Sequence, residues 1–287
     1  MKDLTQTPGF IMTFIQTADL FLPLQQELVT LLRTLAPADW SKPTVAGTWT
    51  VKDVVTHILD GDLRRLSIHR DGYFPPSPSG PPGNYAELVA LLNNLNATWV
   101  QATQRLSPRM LTDLLEWAGP QVAEFFMSLP PDGEAIFPVA WAGEDTSRNW
   151  MDIGRDFTEK WHHQAQIRDA VGAALLLERK WLYPVLDLSL YALPYAFRGT
   201  TAPTGHVLNV FITGDAGGEW HLLRRDASWQ LGTGAQAGAQ ASVRLDTDTA
   251  WRLFYNALTP LEARKRIEAE GDPTLCEPFL TVRSVMV

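Results

Sequence analysis

The stretch SRNWMDIGRDFTEKWHHQAQIRDAV, residues 147–171, decides how the larger part of this chain is read. Trp150, Ile153, Phe157, Trp161 and Ile167 recur on adjoining turns, and Gly172 follows where a helix would end, so the segment reads as one long helix. Glu159 and His163 stand four apart and share a face of it. A carboxylate and an imidazole at that spacing reach one ion from a single helix. One imidazole from a facing helix completes two histidines and a glutamate with a position left open, the ligand count of catalytic rather than structural zinc, and helical bundles build metal sites this way. Spacing alone leaves a second reading open, an exposed Glu–His pair beside an unrelated core histidine. His162, three residues from Glu159, is the alternative ligand if the register shifts by one.

Outward from this segment the helical texture persists. Residues 13–35 place Phe14, Ala18, Phe21, Leu22, Leu28 and Leu32 at helical intervals, with Pro37 beyond the end and a kink expected at Pro23. Thr50 and Asp53 have the spacing of a capping box opening a second helix that carries His57 and runs to about Arg70. Five prolines over residues 75–82, among Ser and Gly, read as a loop that could form a mobile rim. A third helix follows with Tyr85, Leu88, Leu92, Leu95 and Trp99. Residues 111–143 read as short mixed segments with a turn at Pro130-Pro131-Asp132-Gly133, and residues 181–196 as a last helix. After Gly199 alternating runs at 206–213, 219–225, 228–231 and 241–245 read as strands, then helices near 247–257 and 261–266 and a terminal strand over 280–287. The expectation is a multi-domain chain: an all-α helical bundle over residues 1–197, then a small α+β unit over residues 198–287.

Composition narrows the function. The 287 residues are 45% hydrophobic and 20% charged, an ordinary globular balance. Lys and Arg number 24 against 32 Asp and Glu, a net charge of -8, and the pI is near 5.2, the wrong sign for a phosphate backbone or anionic lipid surface. The acidity belongs to the helical part, with 22 acidic and 15 basic side chains against 10 and 9 in the rest. One cysteine, Cys276, excludes an intramolecular disulfide and fits the cytoplasm. The N-terminus lacks the basic-then-apolar order of a secretory signal, and the apolar stretch 175–197 carries Glu178, Arg179, Lys180 and Asp187, so no membrane partner is expected.

Two runs carry a family resemblance. Thr44-Val-Ala-Gly-Thr-Trp49-Thr-Val-Lys-Asp53-Val-Val-Thr-His57, followed by Gly61-Asp62-Leu63-Arg64-Arg65-Leu66 and Arg70-Asp71-Gly72-Tyr73, resembles the opening of the mycothiol-dependent maleylpyruvate isomerase N-terminal domain, within the DinB-like superfamily. Phe157-Thr-Glu159-Lys-Trp-His162-His163-Gln164 with Ile167-Arg168-Asp169 resembles its second metal-bearing helix, and Gly271-Asp272-Pro273 ahead of a final strand is similar to the sterol-carrier-like domain that follows. The resemblance implies a DinB-like bundle and a sterol-carrier-like C-terminal domain. It also implies a divalent metal, usually zinc, held by His57, Glu159 and His163, and mycothiol or another low-molecular-weight thiol as cosubstrate. The activity implied is addition of the thiolate to a small electrophile, either cis–trans isomerisation or thiol transfer. Many relatives carry Asp three residues after the last ligand; Gln166 stands there in this chain, which leaves the partner of His163 unidentified.

Rival readings remain: a non-catalytic small-molecule or lipid-binding protein with a structural metal site, and a metal-dependent hydrolase using bound water. The oligomeric state is open. Asp53, Asp60 and Asp62 read as solvated carboxylates or as partners of the site, and Arg64 and Arg65 as surface ion pairs or substrate-carboxylate clamps. The glycine-rich run 232–238 misses the dinucleotide spacing and reads as a hairpin loop. His69, His206 and His221 have no ligand-spaced partner. Of 11 tryptophans eight lie in the helical part, and Trp49 and Trp161, in the two ligand-bearing runs, are candidate walls of the metal pocket.

Overall fold

A computed structural model describes residues 15–74 and 82–286. The start of the first predicted helix, Thr13 and Phe14, and the proline-rich loop up to Pro81 lie outside the described residues. After one 3-10 turn, α1 spans Phe21–Thr34. Pro23 occupies its third position, where a backbone N–H has no partner within the helix, so the ring costs no hydrogen bond and the expected kink is not needed. The capping box forms: the Asp53 N–H donates to Thr50 Oγ1, and the Thr50 N–H donates to Asp53 Oδ2 at 2.9 Å. It starts α2, Val51–Arg64, which continues through a π-helical turn, Arg65–Arg70. α3 spans Tyr85–Thr103.

Residues 108–128 depart from the expected short segments. Pro108–Ser128 is one helix, α4, that runs through Pro120. The proline removes one N–H, the one that the Glu116 carbonyl would accept, and beside it Gln25 of α1 donates its side-chain amide to the Leu115 carbonyl at 2.9 Å, pressed against Gly119, where a Cβ would fall 2.4 Å from Gln25. α5, Asn149–Val171, ends at Gly172 in the left-handed region. α6 spans Arg179–Leu190 and packs so close to α5 that a Cβ on Gly154 would lie 2.7 Å from Leu188. α7, Leu193–Ala196, closes the helical part.

The C-terminal part is a five-stranded sheet with helices. β1 Val207–Thr213, β2 Gly218–Arg225, β3 Ser228–Thr233, β4 Ala241–Asp246 and β5 Glu268–Gly271 lie in the order β3-β2-β1-β4-β5. All neighbours are antiparallel except β1 and β4. Because β3 and β4 do not pair, the glycine-rich loop between them is a crossover and not the predicted hairpin. α8 Thr247–Phe254, α9 Pro260–Arg266 and α10 Pro273–Cys276 complete the unit. The terminal strand does not form. Residues 277–281 make a 3-10 turn, and Phe279, Leu280 and Val282 are buried as irregular chain, while the last strand is the exposed Glu-Ala-Glu-Gly run before them. Among the described residues no helix is long and apolar enough to cross a membrane.

One apolar core runs through both parts, from Phe21 and Phe157 to Trp220 and Phe254. Trp161 of α5 meets Trp251 of α8 edge to face at 5.9 Å, and Trp220 Nε1 donates to buried Asp187 at 2.8 Å. Burial pushes the Asp187 carboxyl up, against the Trp220 bond, so the folded state holds its proton more tightly than the unfolded chain. That contribution is full below about pH 4 and is lost as pH rises. Asp187→Asn keeps the acceptor and removes the charge. It should raise the thermal midpoint at pH 7, by about 2–4 °C per kcal/mol recovered, and lose the advantage near pH 4; a gain equal at both pH values would contradict this account.

Candidate metal centre

Three donors converge where α2 faces α5. The capping box fixes the entry of α2 and thereby the face on which His57 stands. On α5, Glu159 and His163 lie one turn apart, with His163 Nε2 3.4 Å from Glu159 Oε2. The His57 ring approaches the His163 ring edge-on at 4.7 Å. His57, Glu159 and His163 each offer one ligand atom, and these atoms lie within 4.8 Å of one another.

The flanking contacts orient each ring. His163 Nδ1 lies 2.8 Å from Gln166 Oε1, so the amide carbonyl takes the Nδ1 proton and leaves the Nε2 lone pair toward Glu159. Gln166 is thus the partner of His163 that the sequence left unidentified. His57 Nδ1 is buried and meets no hydrogen-bond partner. The indole of Trp49 packs against the His57 ring at 5.1 Å, as expected of a pocket wall. Trp161 does not wall the cluster: two residues from Glu159 it points elsewhere, donating to the Leu176 carbonyl at 3.1 Å and meeting Trp251. The two adjacent histidines are distinguished by their bonds. His162 commits Nδ1 to the Thr158 carbonyl at 2.9 Å and stacks on Tyr255, whereas His163 faces Glu159 and His57.

The electrostatics suit a cation. Burial, and then the neighbouring His163, hold the His57 imidazole well below its ordinary range, and burial with His163 pushes His162 down to about 3. Both rings are therefore neutral at pH 7 and hold a lone pair. Burial alone would push the Glu159 carboxyl up, but the surrounding imidazoles, His162 foremost, and the bond to His163 outweigh it and hold the carboxyl below the usual carboxylate range, ionised.

Around the cluster runs a seam of buried charge. Asp152, Asp156, Glu159, Lys160 and His163 follow at helical intervals on α5. Arg65 clamps Asp152 with two bonds, 2.6 and 3.0 Å, and reaches Asp156 at 3.3 Å, while Lys160 pairs with Asp62. Asp62 is fully buried and Asp60 pairs with Arg64 at 3.0 Å, so neither is a solvated carboxylate. Asp53 belongs to the capping box. Arg65 is consumed inside the protein and is not a substrate clamp. Arg64 is half-buried and borders a hollow of about 250 Å³ between α2 and α3, lined also by Thr98 and Trp99. His69 sits in the π-turn with both ring nitrogens buried and unpartnered, and burial followed by Arg65 pushes it down to about 4. His221 bonds the Gly234 carbonyl at 2.7 Å, and Cys276 is buried at the carbonyls of Ser242 and Glu270.

The sequence model of the mycothiol maleylpyruvate isomerase N-terminal domain matches residues 21–168, from the first residue of α1 to near the end of α5. Solved structures of mycothiol-dependent maleylpyruvate isomerase are among those that share the fold. The crystal structure of a mycothiol-dependent maleylpyruvate isomerase superposes with a TM-score of 0.51 at 12% identity, covering 89% of this chain and 92% of that one. A histidine-to-alanine mutant of such an isomerase gives 0.52 at 11% identity with the same coverage. No curated protein matches the chain.

The seam is open to a direct test. Arg65→Met removes the cation that Asp152 and Asp156 share and leaves Asp152 with Arg155 alone, at 2.6 Å; it should cost about 3 kcal/mol in urea unfolding, the low end for breaking a buried pair, part of it returned by adding Asp152→Leu. A loss below about 1 kcal/mol, the range of exposed pairs, would show that the seam is solvated.

Proposed function

Because this chain belongs to the mycothiol maleylpyruvate isomerase N-terminal domain family, we propose that it is a metal-dependent enzyme that uses a low-molecular-weight thiol to isomerise or transfer to a small electrophile. His57, Glu159 and His163 are proposed to hold one divalent cation, zinc by the chemistry of two imidazoles and a carboxylate. The observation that carries the reading is the convergence of those three ligand atoms within 4.8 Å beside the partnerless, buried His57 Nδ1. A cation with three protein ligands keeps a position open and makes a thiol or water there strongly acidic.

The chain's own residues supply the rest. Glu159 brings one negative charge to the site, and Gln166 fixes the tautomer and rotation of His163. Trp49 shields one side of His57 from water. The Arg65 and Lys160 pairs hold α2 and α5 at the spacing the three donors need. The nucleophile is assigned to a free thiol, mycothiol by the family's name, because Cys276, at the end of α10, is buried against the sheet and burial pushes its thiol up. The thiolate adds to one carbon of a double bond conjugated to a carbonyl, and the electron pair moves onto the carbonyl oxygen. The former double bond then rotates, and return of the electron pair expels the thiolate and restores the double bond in the trans form. The thiol is not consumed. A single buried cysteine and an acidic surface suit a reducing cytoplasm.

The test is turnover of maleylpyruvate and of a generic electrophile with mycothiol, bacillithiol or glutathione, alongside metal analysis. Purified protein should carry roughly one divalent ion per chain. His57→Ala should lose both the ion and the turnover, and Gln166→Leu should weaken metal binding by about 10–100-fold. Equal turnover without any thiol would replace this reading with hydrolysis, and metal-free protein with His57→Ala like wild type would overturn it.

A further inference from the structure

Neighbouring side chains on a helix point about 100° apart and do not face each other. His162 and His163 nevertheless have ring centroids 4.0 Å apart, tilted by 38°. Two contacts set the His162 ring: within α5 its Nδ1 bonds the Thr158 carbonyl at 2.9 Å, and from the C-terminal part an aromatic ring packs on its face. Tyr255, the residue just past the end of α8, stacks on His162 at 4.4 Å and 13°. The three rings form a column that reaches the His57 edge.

The column is anchored at its far end. Ser189 of α6 donates its hydroxyl to the Val185 carbonyl at 2.7 Å, so the 2.8 Å contact between Ser189 Oγ and Tyr255 has the phenol as donor. Ser284 ties the same place twice, its hydroxyl to the Ser189 carbonyl and its N–H to the Phe254 carbonyl, each at 2.9 Å. Tyr255 is 4% exposed and cannot swing into solvent without opening this packing. His162, bonded through Nδ1 to Thr158, transmits that fixed plane to the face of His163, while Gln166 fixes its edge.

We propose that Tyr255 is a positioning residue for His163, acting through His162, so that the sheet-bearing part of the chain completes the metal centre without contributing a ligand. The proposal rests on the metal reading above only for its affinity readout, since the ring orientation of His163 is measurable in the metal-free chain. Tyr255→Leu removes the plane, and Tyr255→Phe keeps it while losing the Ser189 bond. Zinc affinity by competition with a chromophoric chelator should fall about 10-fold in Tyr255→Leu, the low end for loss of a ligand's supporting partner, and stay within about 2-fold of wild type in Tyr255→Phe. In full-length protein with ¹⁵N-labelled histidine and no metal, the Nδ1 proton that His163 gives to Gln166 should remain a sharp, slowly exchanging signal in wild type and Tyr255→Phe, and broaden in Tyr255→Leu. If wild type binds no zinc, the metal reading fails while the imidazole signal still decides this proposal. A Tyr255→Leu protein with a lowered thermal midpoint but an unchanged His163 signal would overturn it, as would an unchanged zinc affinity in a wild type that binds zinc.

Discussion

The architecture turns on one constraint: the face of α5 toward α2 is charged along several turns, and most of it is buried. Asp152 and Lys160 are each under a tenth exposed. Removing such groups from water costs several kcal/mol per ion unless each finds a partner of good geometry. Arg65 and Asp62 on the facing element supply two of those partners, and they fix the rotation and the axial register of the two helices together. Once that register is set, His57 has one place to be. It stands against His163 and Glu159, where one ligand atom of each lies within 4.8 Å of the others.

The C-terminal part has a place in this scheme that a loosely tethered module would lack. Its core is continuous with that of the bundle, through Trp161 against Trp251 and through Trp220 bonded to Asp187. The same packing that buries apolar area brings the end of α8 against the two adjacent histidines. Much of the tryptophan excess finds a reason here: Trp40, Trp141, Trp161, Trp181, Trp220, Trp229 and Trp251 are buried anchors of the joint core, whereas Trp49 packs against His57. Large aromatic side chains bury area at low entropic cost, and their placement, not their number, separates the two roles.

Much of this was legible in the residues. Residues 147–171 announce their helix by period, and Thr50 with Asp53 announces the start of the helix bearing His57. What escaped was of two kinds. Local rules gave way to tertiary packing where Pro120 passes inside α4 with Gln25 pressed against its neighbour Gly119. They gave way again where the described part of the predicted terminal strand, residues 280–286, forms no strand and buries Leu280 and Val282, while the unpromising Glu-Ala-Glu-Gly run pairs as an edge strand. The other kind is long-range pairing. Arg65 with Asp152 and Asp62 with Lys160 join residues 87 and 98 positions apart, and no spacing rule links them. The partner of His163 was visible as Gln166, but its role depended on where its amide points.

The central claim is that α2 and α5 present two imidazoles and one carboxylate to a single cation. X-ray absorption at the zinc edge of the zinc-loaded chain tests it most directly. The account predicts a light-atom shell near 2.0–2.1 Å with the multiple-scattering signature of two imidazoles, reduced to one in His57→Ala. A shell containing sulfur at about 2.3 Å, or one without imidazole, would contradict it.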